Sequence, residues 1–283
     1  MAYSNWNRGH YSNQYNNSSG RHDQIEDPNL KALHTAIFND DYDAVKQLLG
    51  KGVDPSIKMA AGKTAMHYAC IQNSSLEIFD LLLRHGGDKA VNTAERDERM
   101  TPFHFAVMKC DEKIMDRLIS AGADVNAKTK SGLTALHYAA RQDRADVLKY
   151  LAKKGADIHK SQDGANRSPI YEAVKFNNYN ATEALIKAGA NLSYKDSAGR
   201  TVLHEFIQEN RSDFQGVFKL LIHSGGSVLE QDNLGKSVMD IARLSNHHSD
   251  LYQLISKAAR EEREARIKKK PSNNHRPNRF GPN

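Results

Sequence analysis

Two cysteines in 283 residues are too few for a disulfide framework. Cys70 and Cys110 also fall inside helical patterns at non-equivalent places in neighbouring segments, so both are read as reduced thiols. No stretch approaches the roughly 20 consecutive apolar residues that span a bilayer, and the polar start MAYSNWNRGHYSNQ lacks the apolar core of a secretion signal. The expectation is a chain of the cytoplasm, the nucleus or both, with no membrane partner. A glycine-rich phosphate loop, a nucleophile elbow and a kinase signature are missing too, which removes the common catalytic classes. Surplus charge is absent from most of the chain. The net charge of +6 arises between Lys257 and Asn283, where nine basic residues face three glutamates, while the remainder balances at 31 positive and 31 negative. Nucleic acid is therefore assigned, if anywhere, to that tail and not to the body.

What the chain does have is one short motif written many times. TALHYAA at 134–140 is matched by TAMHYAC at 64–70 and TPFHFAV at 101–107. Weaker copies are SPIYEAV at 168–174, TVLHEFI at 201–207, KALHTAI at 31–37 and SVMDIAR at 237–243. The copies start 33, 37, 33, 34, 33 and 36 residues apart, the signature of a stacked repeat protein. The threonine–histidine pairing suggests catalysis when seen once, but a catalytic group is rarely supplied several times over. His34, His67, His104, His137 and His204 recur in register, so they lie about one repeat apart and do not converge on a metal. His67 with Cys70 lacks a second pair, and His247-His248 lacks a third ligand. No cofactor, no metal and no enzymatic activity are expected.

The fourth copy is the clearest unit. Gly132 turns the chain and Thr134 follows as a helix N-cap. Sister units place Pro102 or Pro169 at the first helical position, where the missing donor costs nothing. Leu136, Ala139 and Ala140 give the first helix a narrow apolar face that admits a close neighbour, and Val147, Leu148 and Leu151 recur at helical spacing on a second helix. That helix stops at Lys153-Lys154-Gly155, basic residues at its negative end followed by a glycine suited to left-handed backbone.

GLTALHYAA with GADIH, and MTPFHFAV with GADVNA, resemble the ankyrin repeat. The resemblance covers about residues 26–260. It implies an all-α solenoid of about seven units, each an antiparallel helix pair with a hairpin loop, and a histidine that ties neighbouring loops together. It also implies that partners bind the concave face, at the residue just before each T-x-x-H segment and at the fourth and fifth residues after the His. Among those positions Met100, Met108, Lys109, Leu133, Arg141, Arg167, Lys175, Phe176 and Arg200 are the candidate partner-binding residues. They are expected to be exposed apolar and cationic side chains, which suits one or more protein partners with acidic segments. The stripe Arg141, Arg167, Lys175 and Arg200 lacks the interleaved aromatics of a single-strand nucleic-acid binder. Asn126, in LISAGADVNA, resembles the site of an asparaginyl hydroxylase in animals and is a candidate for that modification.

Boundaries follow from the period. A head at 1–24, rich in Asn, Ser and Tyr, is expected to be disordered. The repeat domain runs 25–260 with units near 26–58, 59–95, 96–128, 129–162, 163–195, 196–231 and 232–260, and a basic tail at 261–283 is helical and then disordered. The outer units depart from the motif, with Lys31 in place of Thr and Asp240 in place of His, as capping repeats do. RHGGDKAVNTAERDERM at 84–100 lengthens the entry to unit three and ENRSDFQG at 209–216 lengthens unit six, each either a functional loop or a tolerated length change. Lys268, Lys269 and Lys270 are a candidate nuclear localisation signal or loose nucleic-acid contact, set against a merely solubilising tail. The chain is expected to act as a monomeric adaptor, with a nuclear or ribonucleoprotein-associated factor as the alternative.

Overall fold

The computed structural model describes residues 27–159, 165–208, 215–244 and 249–268. The expected head, residues 209–214 of the insertion at 209–216, and Lys269 and Lys270 lie outside these residues. Seven helix pairs follow one another: α1 (Pro28–Phe38) with α2 (Tyr42–Gly50), α3 (Ala65–Gln72) with α4 (Leu76–Arg84), α5 (Pro102–Lys109) with α6 (Glu112–Ser120), and α7 (Ala135–Arg141) with α8 (Ala145–Lys153). The series continues with α9 (Pro169–Lys175) and α10 (Tyr179–Lys187), α11 (Val202–Gln208) and α12 (Gln215–His223), and α13 (Val238–Leu244) and α14 (Ser249–Lys268). Among the described residues there is no strand, only an isolated antiparallel bridge between Gln231 and Ser237.

First helices stack on first helices, α1 on α3 through to α11 on α13, with the second helices forming an outer row. The two rows differ in side-chain size at one recurring position. Two residues after the motif His or its equivalent, the first helices bury Ala36, Ala69, Ala106, Ala139, Ala173 and Ala242, with Phe206 of unit six the exception, whereas the second helices bury Leu49, Phe79, Leu82, Leu118, Leu151 and Leu185. Small residues let the first helices approach more closely than the second, so the stack bends toward the first-helix side. That side is the concave face. One continuous apolar core runs through all seven units, from Leu30 to Ala259.

Turns inside the units use residues that tolerate left-handed backbone: Asp40 at φ 53°, and Asn73, Asp143 and Asn177 at 56°. Two of them also cap the next unit's second helix, Asp40 accepting from the Ser75 amide at 2.8 Å and Asp143 from the Ala181 amide at 2.7 Å. Gly155 ends α8 at φ +84°, as its place after the two lysines predicts.

The segment 84–100 is folded into the stack instead of looping out. It forms a 3-10 turn over Gly87–Ala90 and buries Ala90 and Val91. Glu95 then accepts from the amides of Asp97, Glu98 and Met100 at 2.9, 2.7 and 3.1 Å, closing the hairpin tip around a buried carboxylate. At the other end, α14 continues through residue 260 without a break. Ala258 and Ala259 are buried, and Glu262 accepts from the Ser227 hydroxyl at 2.6 Å and the Val228 amide at 3.1 Å, so the start of the expected tail is anchored to the last hairpin.

Candidate protein-binding face

The concave face is held in register by a polar peg at the motifs of units two to seven. In unit four the His137 ring Nδ1 accepts from the Thr134 amide at 3.0 Å and lies 2.9 Å from the Thr134 hydroxyl. An amide can only donate, so Nδ1 is the acceptor and the ring proton sits on Nε2. Nε2 donates onward to the Arg167 carbonyl of unit five at 3.2 Å. His67 reaches Met100 O at 3.2 Å and His204 reaches Lys236 O at 3.1 Å in the next unit in the same manner, while His104 reaches Ala127 O at 3.1 Å at the end of its own unit. A protonated ring could not accept from the N-cap amide. Burial is the main cause that pushes His67, His104 and His137 down to about 4, and it lowers His204 as well.

Where the histidine is replaced, its two tasks separate. Tyr171 of unit five keeps the outward one, its hydroxyl lying 2.6 Å from Arg200 O and 2.8 Å from Tyr194 O and sharing one proton between them. Asp240 of unit seven keeps the local one, accepting from the Ser237 amide at 3.0 Å and the Ser237 hydroxyl at 2.6 Å. A carboxylate has no proton to send outward, so Asp240 serves its own unit alone.

Several expected binding residues are placed differently from the exposed positions predicted for them. Met100 and Leu133 are buried, each 5% exposed. The residue before the threonine lies at the joint between units, so an apolar side chain there is drawn into the joint and only cationic ones reach out. Met108 is half-buried against the core and Lys109 is exposed, while Lys175 and Phe176 are half-buried. The residue four places after the peg forms a ladder along the face: Phe38, which is 56% exposed, then Ile71, Met108, Arg141, Lys175 and Gln208.

The stripe Arg141, Arg167, Lys175 and Arg200 is also not a row of surplus charge. Arg141 meets Glu172 through Nε at 3.0 Å and Nη2 at 2.9 Å, with its guanidinium 5.8 Å from the Tyr138 ring centre and 5.4 Å from that of Phe176. Arg167 pairs with Glu205 at 3.0 Å and Asp196 at 3.5 Å. Arg200 donates to Asp196 from Nε at 3.0 Å and Nη2 at 2.8 Å, and to the Gln208 amide oxygen at 2.7 Å. Glu172, Asp196 and Glu205 are buried, and sequence reasoning missed all three. The signal was there: the residue after the peg is Tyr68, Phe105 and Tyr138 in units two to four and becomes glutamate in units five and six, where arginines accumulate one repeat away. Asp196 accepts from the Ala198 and Arg200 amides, both at 2.9 Å, and these bonds with the Arg200 guanidinium hold its carboxyl below the usual range against the opposing effect of burial.

Asn126 sits at a hairpin tip and staples two units together. Its side-chain oxygen accepts from the Asp157 amide at 2.9 Å and its amide nitrogen lies 3.4 Å from Gly155 O. Lys268 ends α14 and is exposed. Both thiols are buried and free, the Cys110 Sγ donating to the Cys70 carbonyl at 3.4 Å. Among the described residues no three His, Cys, Asp or Glu gather to hold a metal ion, and no helix is long and apolar enough to cross a membrane.

Comparison with known proteins gives the same architecture. The family model described as ankyrin repeats (3 copies) matches residues 33–129, 88–162 and 104–196, which together exceed half of the chain. The chain is 30% identical over 234 residues to transient receptor potential cation channel subfamily A member 1 of Drosophila melanogaster, covering 79% of this chain and 16% of that protein. It is 27% identical over 172 residues to the B-cell lymphoma 3 protein homolog of Mus musculus, covering 61% of this chain and 31% of that protein. It thus spans under a third of the length of either relative. Among solved structures, the ankyrin repeat domain of Bcl-3 superposes with a TM-score of 0.67 at 23% identity, over 80% of this chain and 97% of that one. The human ASB11 ankyrin repeat domain does so with a TM-score of 0.67 at 20% identity, over 80% and 96%. Ankyrin repeats generally mediate protein–protein interaction and are generally non-enzymatic. From its period, its pegs and these matches, the chain belongs to the ankyrin-repeat family.

Proposed function

We propose that this chain is a non-enzymatic, monomeric adaptor that holds a protein partner on the concave face of its solenoid. The observation that carries the reading is the ladder of Phe38, Ile71, Met108, Arg141 and Lys175, in which apolar and cationic side chains stand at one structural position of successive units. Such residues are favoured at protein interfaces. Affinity purification of the full chain against a Phe38→Ser, Met108→Ser, Lys175→Glu triple variant tests it. Arg141 is left intact because its loss would strand Glu172. Loss of the captured partner from the variant supports the reading, and an unchanged partner set overturns it.

The surplus charge of residues 257–283 supports a second reading, a nuclear or ribonucleoprotein-associated factor whose tail touches nucleic acid. Deletion of 269–283 spares the buried Ala258 and Ala259 and the Glu262 anchor. Salt-dependent nucleic-acid binding lost on that deletion supports the reading, and binding that persists removes it. Replacing Lys268, Lys269 and Lys270 in a fluorescent fusion tests nuclear against cytoplasmic placement. Asn126 hydroxylation is tested by the mass of its peptide from native protein, where absence of a gain of about 16 Da overturns it; the Cβ it would oxidise carries the amide that staples units three and four.

A further inference from the structure

We infer that the partner is an extended peptide of fixed polarity, with apolar residues over units one to three and acidic residues over units four and five. This inference rests on the concave-face reading above and adds the chemistry and direction of the ligand.

Over units one to five the ladder changes character once, before the neutral Gln208 ends it in unit six. Phe38, Ile71 and Met108 supply three apolar rungs, and Arg141 and Lys175 supply two cationic ones. Phe38 leaves more than half its surface in water, an exposure that an isolated chain gains nothing from. At Arg141 the charges are ordered by depth. The Glu172 side chain is 5% exposed and the Arg141 side chain 33%, so the acid lies beneath and the cation above. Asp196 at 1% and Glu205 at 5% likewise lie under Arg167 at 18% and Arg200 at 19%. A ligand on this face therefore meets positive potential although the clusters are nearly neutral in sum. The Arg141 guanidinium is already fixed by Glu172 and by the Tyr138 and Phe176 rings, so binding a carboxylate orders little that is not ordered beforehand.

Spacing sets the ligand's form. Packed helices lie about 8–10 Å apart, so the four gaps between five rungs span about 32–40 Å. An extended chain of the polyproline II type rises about 3.1 Å per residue with three residues per turn, so every third side chain returns to the same face about one rung further on. The matching peptide carries an apolar residue at every third position three times and then an acidic residue at the next two such positions.

The test uses two fluorescein-labelled peptides with Gly, Ser and Asn spacers, one with Leu at its first three rung positions and Glu at the last two, the other with Lys replacing both Glu. Anisotropy titration with the full chain is expected to show the Glu peptide binding at least tenfold more tightly, with the difference shrinking as salt rises. Lys175→Glu is expected to weaken the Glu peptide about tenfold and to narrow or reverse the preference, while Phe38→Ser weakens both peptides alike. Equal binding of the two peptides, both weakened by Phe38→Ser, would overturn the polarity and leave the concave face as the interface. Binding of neither peptide, with partner capture still dependent on this face, would overturn the extended ligand. An unaltered preference in Lys175→Glu would overturn the assignment of the acidic end.

Discussion

Immediately after the peg, units two, three and four carry Tyr68, Phe105 and Tyr138, whereas units five and six carry Glu172 and Glu205. In the first region each aromatic presents an edge or tilted face to the histidine of the unit before it, His34 to Tyr68 at 4.4 Å, His67 to Phe105 at 6.0 Å and His104 to Tyr138 at 5.8 Å. In the second the glutamates are buried and answered by Arg141, Arg167 and Arg200. The backbone of the repeat accepts either solution because the position needs only a side chain that fills the joint. The consequences differ: an aromatic joint depends on a neutral imidazole, and a carboxylate joint depends on a complete set of partners.

Acid should separate the two regions most strongly. His34, His67, His104 and His137 are held near 4, against about 6.5 in an unfolded chain. Between those values the unfolded state binds protons that the folded state refuses. Their contribution is therefore complete above about 6.5 and is lost as pH falls toward 4. Units five and six hold only His204 of this kind, and Asp196, lowered from 3.8, gives up its contribution only below that value. A solenoid whose units couple to nearest neighbours can lose one end first. Amide exchange, corrected for its intrinsic pH dependence, should show α3, α5 and α7 losing protection at pH 5 while α9 and α11 retain it. Simultaneous loss would break the comparison.

Arg167→Ala should be the most damaging single change in the second region, by about 3–5 kcal/mol, because it leaves Glu205 buried without its closest cation and weakens the setting of Asp196. Replacing Arg167 and Glu205 together by Met and Leu should cost far less, since the buried pair has little net value against apolar packing. Urea unfolding of the single and double variants checks the difference. His137→Ala should follow at about 2–3 kcal/mol, removing the cap to Thr134 and the tie to Arg167, while Asp240→Ala costs about 1 kcal/mol because Asp240 serves only its own unit. Equal losses would mean that the tie between units contributes nothing.

The period, the caps and the local threonine–histidine pairing were legible in the sequence because each is written several times, and the tie from the histidine to the next hairpin was implied by the resemblance to the ankyrin repeat. The neutral state of the pegs was not, since it depends on burial by the next unit. Met100 and Leu133 misled because one sequence position takes two environments, buried when apolar and half-exposed when cationic. The carboxylates beneath the arginines escaped notice because the pairs close across about one repeat, Arg141 with Glu172 and Arg167 with Asp196, where no helical period points. The segment 84–100 looked like an extra loop because its order comes from one carboxylate, Glu95, gathering three amides at the hairpin tip.

The smallest effect has the opposite sign. His34 lies at the peg position, but Lys31 replaces the threonine and α1 starts at Pro28 under an Asp27 cap, so no N-cap amide faces its ring. Both ring nitrogens are buried without a hydrogen-bond partner. A buried polar group in that state costs about 1–3 kcal/mol, and an apolar side chain of different shape recovers only part of it. His34→Leu should therefore raise stability by about 0.5–1 kcal/mol and delay the acid transition of the first units, whereas His104→Leu should lower stability by stranding the Thr101 amide. Urea midpoints at pH 7 and pH 5 for the two variants check both statements. A loss of stability in His34→Leu would mean that the 4.4 Å contact with the Tyr68 ring outweighs the missing hydrogen bonds, and that unit one belongs with the aromatic joints after all.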